Sequence, residues 1–174
     1  MRSFFLAGGC FWCLDSTYMQ FKGVDDVVVG YMGGHTKHPD YESVCSGTTG
    51  HAEAVEVIFD ESVIPAEIIL DMFFTLHDPT QLNRQGADVG TQYRSAMFYK
   101  DESELAEFEA AVARAKSIWG EKIVTEISPA TDFWVGEQYH QDFFAKNPNQ
   151  GYCNAVVAPK MAKTRAAFTG YLRD

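Results

Sequence analysis

The stretch "RSFFLAGGCFWCLDSTYMQFKG", residues 2–23, shows the patterns of a strand, a tight turn and a helix in direct succession. Residues 2–7 form a short apolar run that predicts a buried strand, and a glycine pair supplies the turn. A helix is expected to begin near Cys10, because apolar residues then recur at helical spacing, at Phe11, Leu14, Tyr18 and Phe21. The stretch therefore predicts a strand–turn–helix unit with Cys10 at its turn.

Helix and strand patterns alternate along the rest of the chain, apart from long irregular stretches at 33–51 and 78–94. Continuous apolar runs or a period of two predict strands within 25–34, 51–60, 95–99 and 122–129. Apolar residues at helical spacing predict helices that begin at Pro65, span 101–120 and occupy part of 136–148. The expected fold class is α/β or α+β, with helices packed on a sheet.

Length and charge narrow the classes of function. A chain of 174 residues is expected to form one domain with a packed core. Its formal net charge of −10 disfavours nucleic acid or an anionic membrane surface as the main partner. The apolar runs are shorter than the roughly 18 residues of a transmembrane helix, and the run before the glycine pair is too short for a signal peptide. A cytoplasmic protein is expected.

Two cysteines, Cys10 and Cys13, stand three residues apart at the start of the first predicted helix. At that spacing their Cα atoms lie about 5–6 Å apart, within the range of a disulfide. Free N–H groups at a helix N-terminus favour a thiolate, so Cys10 is the better-placed nucleophile and Cys13 the better-placed resolving thiol. Buried cysteines can also be small apolar fillers, but the glycine pair directly before Cys10 favours a reactive role.

The aromatic residues between these cysteines have different expected roles. Phe11 lies on the apolar stripe of the helix, so a place in the core is at least as consistent with its position as a place in a site. Trp12 lies off that stripe and beside Cys10, where its ring is placed to form the wall of a small apolar pocket.

Glu53 is the acid that the strand pattern singles out. Alternation over 51–60 places Glu53 on the face of Val55, Val57 and Phe59, which is the face expected to be buried. A desolvated carboxyl has a raised pKa and can act as a general acid at neutral pH. If the register slips near the start of the strand, Glu53 is solvated instead, and the pattern alone leaves both interpretations open.

Other classes of cysteine chemistry have weaker support. No second CxxC or paired-histidine motif follows Cys10 and Cys13 at zinc-finger spacing, so a metal site is not expected. A disulfide framework suits a shorter, loop-rich chain. A thiol–disulfide oxidoreductase fits the order of strand, turn and CxxC, although two bulky aromatics between the cysteines are unusual there. A redox-sensing or metal-binding module without catalysis is a third class.

Four longer motifs follow one another from about Phe4 to Cys153. They are "GGCFWC", "GYMGGHTKHPDYESVCSGTTGHAEAVEVIFD", "HDPTQLNRQGADVGTQYRSAMFY" and "YHQDFFAKNPNQGYC". Together they resemble the A-class peptide methionine sulfoxide reductases. The resemblance implies a two-layer α/β sandwich with a ferredoxin-like βαβ core and long coil segments. It also implies reduction of the S epimer of methionine sulfoxide, free or in oxidised proteins.

The resemblance implies roles for individual residues. Cys10 matches the catalytic cysteine that attacks the sulfoxide sulfur. Glu53 matches the acid that protonates the sulfoxide oxygen, and Tyr41 and Tyr93 match two tyrosines that hydrogen-bond that oxygen. No bound metal, flavin or nucleotide is implied, because the reductant is an external dithiol, with thioredoxin the expected one. A monomer is expected.

Further matches concern the substrate pocket and its surroundings. Phe11 and Trp12 match the aromatics that enclose the S-methyl group of the substrate. Asp88 matches the carboxylate near the substrate's amide and the nucleophile's surroundings. Cys45 is expected to be structural, and His51 is expected either to orient the acid or to end a turn.

The resolving thiol is where the chain departs from the commonest family pattern. Many relatives have GCFWG with Glu two positions later, whereas this chain has Cys13 and Asp15 at those places. Cys153 occupies the "GYC" position in which many relatives keep a resolving cysteine. Cys13 is expected to resolve first because no tail movement is needed, and Cys153 then relays the disulfide outward or takes no part. The chain is interpreted as one catalytic domain, 1–174, in which 150–174 is a flexible tail.

Overall fold

The structure, a computed structural model, describes residues 1–173. The strands are, in chain order, β1 Arg2–Ala7, β2 Val24–Met32, β3 Ala52–Phe59, β4 Arg84–Gln85, β5 Asp88–Val89, β6 Ala96–Tyr99, β7 Glu126–Pro129 and β8 Trp134–Val135. The α-helices are α1 Phe11–Tyr18, α2 Tyr41–Cys45, α3 Ala66–Leu76, α4 Glu102–Trp119, α5 Phe143–Lys146 and α6 Ala158–Ala167. Short 3-10 turns lie at Thr91–Tyr93, Gly120–Lys122, Gln138–His140 and Thr169–Tyr171, and Cys153–Val157 is a π-helical turn.

One mixed sheet has the strand order β7-β6-β1-β3-β2-β8, and β4 and β5 form a separate small ladder. Strand β1 lies antiparallel between β3 and β6, and β3 is antiparallel to β2. With α1 following β1 and α3 following β3, these elements have the ferredoxin-like βαββαβ arrangement. The added edge strands are β7, parallel to β6, and β8, antiparallel to β2. The fold class expected from the sequence is confirmed.

The main core lies between one face of the sheet and the helices. Glu53, Val55, Val57 and Phe59 of β3 are all buried, so the expected alternation of that strand is confirmed. The apolar stripe of α1 packs against this face, and Phe11 is among its fully buried members. A smaller apolar cluster lies apart from this core and consists of Ala7, Met32, Ala52, Ala54, Ala96 and Phe98.

The longest helix, α4, has the ends that the sequence predicts. The side chain of Asp101 accepts the backbone N–H of Glu104 at 2.9 Å, which satisfies one of the free donors of the first turn. At the other end Gly120 has a φ of +74°, a conformation in which glycine avoids the Cβ clash that other residues meet.

The structure differs from two predictions, the irregular segment at 33–51 and the helix within 136–148. The loop expected at 33–51 contains α2, whose N-cap Asp40 forms a reciprocal capping box with Ser43. The helix expected within 136–148 is split into the turn Gln138–His140 and the short α5. The split comes at Asp142, whose φ of +56° interrupts the helical path.

Residues 150–174, expected to be a flexible tail, hold the π-helical turn and α6 in their described part. Cys153, Val157 and Thr164 are fully buried along one face of this helical segment, which packs against α1 and α3. The local pattern misses the helix because large apolar side chains are sparse in its sequence and its packing partners are distant in the chain. None of the helices that the structure describes is long and apolar enough to cross a membrane.

Candidate active site

The turn between β1 and α1 requires both of its glycines. Gly9 has a φ of +84°, and a Cβ atom there would lie only 2.8 Å from the side chain of Gln85. A Cβ atom at Gly8 would lie 3.0 Å from the buried ring of His77. This close packing ends the strand and places Cys10 as the N-cap of α1 in an extended conformation.

Cys10 is buried, and burial is the main reason why its pKa is raised above the ordinary value of a thiol. The neighbouring Glu53 and Cys13 raise this pKa further, whereas hydrogen bonds from the Trp12 backbone and the Tyr152 side chain lower it. The expectation of a stabilised thiolate is therefore wrong. The helix N-terminus acts in the expected direction, but desolvation outweighs it.

Glu53 is 1% exposed and lies at the start of β3, directly beneath the first turn of α1. Its Oε1 atom accepts the Phe11 backbone N–H at 3.2 Å, while its buried Oε2 atom has no hydrogen-bond partner. Burial raises the pKa of Glu53 to about 8, with Asp88 adding to the rise and the Phe11 N–H opposing it. Of the two interpretations left open by the sequence, the structure supports the buried, protonated acid.

Two tyrosines face this acid from different segments. Burial, followed by the Glu53 carboxyl, raises the pKa values of Tyr41 and Tyr93, so both hydroxyls remain protonated donors at neutral pH. The half-buried Cys45 hydrogen-bonds with both hydroxyls, and these bonds oppose the rise in its pKa that burial causes.

A cavity of about 240 Å³ joins these groups. The lining residues come from separate parts of the chain and are Cys10, Trp12, Tyr41, Glu53, Asp88, Tyr93, Gln150 and Tyr152. The structure thus brings together six of the site residues that the sequence singled out. The other three, Phe11, Cys13 and Cys153, are buried outside this lining.

Trp12 forms one wall of the cavity and is held from several sides. Its ring stacks on Phe143 with centroids 3.8 Å apart and planes 6° apart, and the Tyr152 ring meets it edge-on. Its Nε1–H group donates to Nδ1 of His140 at 3.1 Å. Burial lowers the pKa of His140, which keeps the ring neutral so that Nδ1 can accept this bond.

The profile of the peptide methionine sulfoxide reductase family matches residues 2–171. The chain belongs to this family. It is 62% identical over 173 residues to peptide methionine sulfoxide reductase MsrA of Clavibacter michiganensis subsp. michiganensis, with 99% of each chain covered. It is 59% identical over 172 residues to MsrA of Arthrobacter sp. strain FB24, again with 99% of each chain covered. The family resemblance read from the motifs is confirmed, and the chain is an oxidoreductase of this class.

Solved structures of the family show the same fold. Reduced Mxr1 from Saccharomyces cerevisiae matches with a TM-score of 0.83 and 37% identity, over 87% of this chain and 88% of that chain. Methionine sulfoxide reductase A of Corynebacterium diphtheriae matches with a TM-score of 0.77 and 32% identity, over 88% and 78% of the two chains. Mxr1 in complex with Trx2 matches with a TM-score of 0.58 and 26% identity, over 82% and 84%.

Sequence reasoning missed several residues of this reductase site. Tyr152 lines the cavity and donates its hydroxyl to Asp88 at 2.5 Å, while Gln150 lines it and accepts the Cys153 backbone N–H at 3.0 Å. Both lie in the quoted motif that ends in "GYC", of which only the cysteine is among the predicted site residues. The motif could therefore have pointed to both. His140, in the same motif, hydrogen-bonds Trp12 and is not among the predicted site residues.

The contacts of His51 decide between its two expected roles. His51 accepts the Gly34 N–H through Nδ1 at 3.0 Å and pairs through Nε2 with the Thr36 carbonyl at 2.8 Å. It therefore ties the 33–51 loop together, and these bonds leave neither ring nitrogen for Glu53. Within residues 1–173, no group of three or more His, Cys, Asp or Glu side chains is arranged to hold a metal ion.

Proposed function

We propose that this reductase converts the S epimer of methionine sulfoxide, free or in oxidised proteins, to methionine in the 240 Å³ cavity. The observation that carries the proposal is Glu53, a buried acid protonated at neutral pH whose Oε2 has no partner. This acid shares its cavity with the Cys10 thiol. A sulfoxide has an oxygen that accepts hydrogen bonds strongly and a sulfur that is weakly electrophilic. The Glu53 carboxyl can protonate the oxygen, and the Cys10 thiol can attack the sulfur.

Activation begins at the sulfoxide oxygen. Glu53 gives its proton to this oxygen, and the hydroxyls of Tyr41 and Tyr93 donate hydrogen bonds to it, which makes the sulfur attackable. The thiol proton of Cys10 passes to the Glu53 carboxylate as its replacement. This exchange removes the need for a free thiolate before the substrate binds, since burial raises the pKa of Cys10.

The redox step transfers oxygen from substrate to enzyme. Cys10 sulfur attacks the protonated sulfoxide at sulfur and forms an S–S bond. The hydroxyl then passes from the substrate sulfur to the Cys10 sulfur as the S–O and S–S bonds break, so Cys10 becomes a sulfenic acid and methionine leaves. The sulfoxide sulfur is reduced by two electrons and the Cys10 sulfur is oxidised by two. Trp12 supplies the apolar wall for the S-methyl group, with Phe11 supporting it from the core, and Asp88 lies near the substrate's amide.

A second thiol then condenses with the sulfenic acid to give a disulfide and water. Cys13 is the first candidate, because it lies one helical turn beyond Cys10, the N-cap of α1. Its pKa is raised to about 12 by burial, and Asp88 and Cys153 are among the groups that raise it further. Because Cys13 also contributes to the raised pKa of Cys10, it lies within electrostatic reach of both other thiols. This position suits a relay from Cys10 through Cys13 to Cys153.

An external dithiol, thioredoxin, reduces the final disulfide and closes the cycle. The complex of the related Mxr1 with Trx2 supports this choice of reductant. No bound cofactor takes part in these steps. We further propose a monomeric, single-domain enzyme of the cytoplasm, where the four free cysteines of residues 1–173 stay reduced. Its acidic surface fits neither nucleic acid nor membrane partners.

The test of the proposed function is turnover of separated S and R methionine sulfoxide derivatives with dithiothreitol, read by chromatography. Conversion of the S epimer alone is expected. If folded protein with titratable thiols converts neither epimer, the proposal is wrong, and disulfide exchange by Cys10 and Cys13 becomes the better interpretation.

The proposed order in which the two thiols resolve the sulfenic acid predicts different effects for a serine at each position. Cys13→Ser is expected to release one equivalent of methionine per enzyme and then recycle with thioredoxin at least about tenfold more slowly, because it loses the resolving thiol held beside Cys10. Cys153→Ser is expected to form the first disulfide as fast as the wild type. Steady-state turnover with thioredoxin and mass spectrometry of the oxidised enzyme measure both effects. A Cys13→Ser enzyme that recycles at the wild-type rate would show that Cys153 resolves first.

A further inference from the structure

Asp15 is a buried acid that the proposed reaction does not use. It lies on α1, one turn beyond Trp12, and is 2% exposed. Burial raises the pKa of Asp15 to about 7, and the carboxylates of Asp142 and Asp26 raise it while the Asp142 N–H and Lys146 lower it. A buried carboxyl without an ion-pair partner is unfavourable for stability, so its contacts in this site require an explanation.

The contact that Asp15 makes lies at the start of α5. Its Oδ2 atom accepts the backbone N–H of Asp142 at 2.7 Å. Asp142 is the N-cap of α5 and has a left-handed backbone with a φ of +56°, which is unfavourable for a residue with a Cβ atom. The hydrogen bond from Asp15 therefore holds the chain in a conformation that it would not adopt readily by itself.

The residue after this tether is Phe143, whose ring stacks on Trp12 at 3.8 Å. The preceding segment has anchors of its own: Glu137 accepts the Tyr31 hydroxyl, and the Gln141 side chain pairs with the backbone of Val29. The Asp15 bond is the last of these anchors before Phe143. Because α5 spans only four residues and lacks a side-chain cap, the position of its first ring depends on where the chain enters it.

We propose that Asp15 is a positioning residue for the substrate pocket, because it holds the Asp142 N–H and so keeps Phe143 stacked on Trp12. The inference rests on the proposed role of Trp12 as the wall for the S-methyl group. Two contacts hold the Trp12 indole in place: Phe143 stacks on its face, and His140 accepts its N–H. Asp15 secures the contact with Phe143 from the next turn of α1, without touching the substrate.

Asp15→Ala is expected to raise the KM for methionine-S-sulfoxide by up to about tenfold, the upper range for the loss of one hydrogen bond, with little change in kcat. Asp15→Asn keeps an oxygen that can accept the Asp142 N–H and should restore a KM near the wild-type value. Asp26→Ala is the matched control, because exposed Asp26 also faces Asp15 but, within residues 1–173, its side chain bonds only the Val27 N–H. The control should leave both constants unchanged.

Two measurements separate positioning from a general loss of structure. With 5-fluorotryptophan at positions 12, 119 and 134, the fluorine resonance of Trp12 should shift in Asp15→Ala and remain in place in Asp26→Ala. The double variant Asp15→Ala/Phe143→Ala should have the KM of Phe143→Ala alone, because both changes remove the same stack. Should Asp15→Ala fail to fold, Asp15→Ser keeps a polar group that is one bond too short to reach Asp142.

The outcomes distinguish this inference from the proposed function. If the wild type converts the S epimer but Asp15→Ala or Asp15→Ser keeps the wild-type KM and Trp12 resonance, only the inference about Asp15 is wrong. It is equally wrong if Asp15→Asn loses as much as Asp15→Ala, since the charge rather than the tether would then matter. If the wild type converts neither epimer, the proposed function itself fails.

Discussion

Cys10→Ser is expected to abolish reduction of methionine sulfoxide, including the first turnover. The reaction needs a sulfur atom that accepts oxygen to become a sulfenic acid and then forms a disulfide, and a serine hydroxyl can do neither. The buried site offers no substitute, because Cys13 lies one helical turn deeper and is outside the cavity lining. The expected result is no methionine in a single-turnover experiment without reductant, measured by chromatography.

Cys13→Ser is the matched control for this variant. It removes a buried thiol of the same size from the same helix, and it should still release one equivalent of methionine per enzyme. A methionine burst from Cys10→Ser would transfer the attack on sulfur to another cysteine and contradict the proposed mechanism. A loss of the burst in both variants, with both folded, would contradict the separation of attack from resolution.

Glu53→Gln is expected to lower single-turnover reduction about 10²- to 10⁴-fold at neutral pH, the usual range for removal of a general acid. Glutamine keeps the oxygen that accepts the Phe11 N–H but has no proton to give to the sulfoxide. In the wild type the same reduction should fall as the pH rises through about 8, where Glu53 loses its proton. The matched control is Glu56→Gln, a half-buried acid on the opposite face of the same strand, which should leave the rate unchanged.

The same substitution should make the protein more stable at alkaline pH. Because folding raises the pKa of Glu53 from 4.5 to about 8, the folded state holds this proton across a range in which the unfolded state releases it. The wild type therefore loses stability from this residue as the pH rises from about 4.5 to 8, by on the order of 4 kcal/mol in total. Glutamine does not titrate in this range, so the free energy of unfolding of Glu53→Gln does not fall in this way.

Denaturant unfolding at two pH values measures this effect. The free energies of unfolding of wild type and Glu53→Gln should be similar at pH 4.5, and the variant should be the more stable at pH 9. A variant that is less stable than the wild type at both values would show that the buried carboxyl is not protonated in the folded state, and the role of general acid would fail with it.

The chemistry of the site was largely predictable because its signals are local. The spacing of apolar residues and the glycine pair predict the strand–turn–helix unit around Cys10. The structure adds the close contacts that make Gly8 and Gly9 necessary. The period of two in β3 placed Glu53 on the buried face. The quoted motifs identified the family. The family resemblance in turn pointed to Tyr41, Tyr93 and Asp88, which line the cavity.

The surroundings of Trp12 were not predictable from local patterns. Phe143, His140 and Tyr152 reach the indole from more than a hundred residues away, and the split of 136–148 at Asp142 decides where they stand. The helical segment after residue 150 was missed for a related reason. Its few large apolar residues form little amphipathic pattern, and its burial depends on where α1 and α3 lie.

The sequence by itself determined the family and the order of the main strands and helices, and it singled out Cys10 and Glu53 for the proposed roles of nucleophile and acid, because apolar period and motif identity are properties of neighbouring residues. Only the tertiary structure decided the protonation of those groups and the walls of their pocket. The pKa values of Cys10 and Glu53 are raised by desolvation, which exists only once distant segments exclude water from both. The first helical turn favours a thiolate at Cys10, and burial by the folded chain reverses that preference.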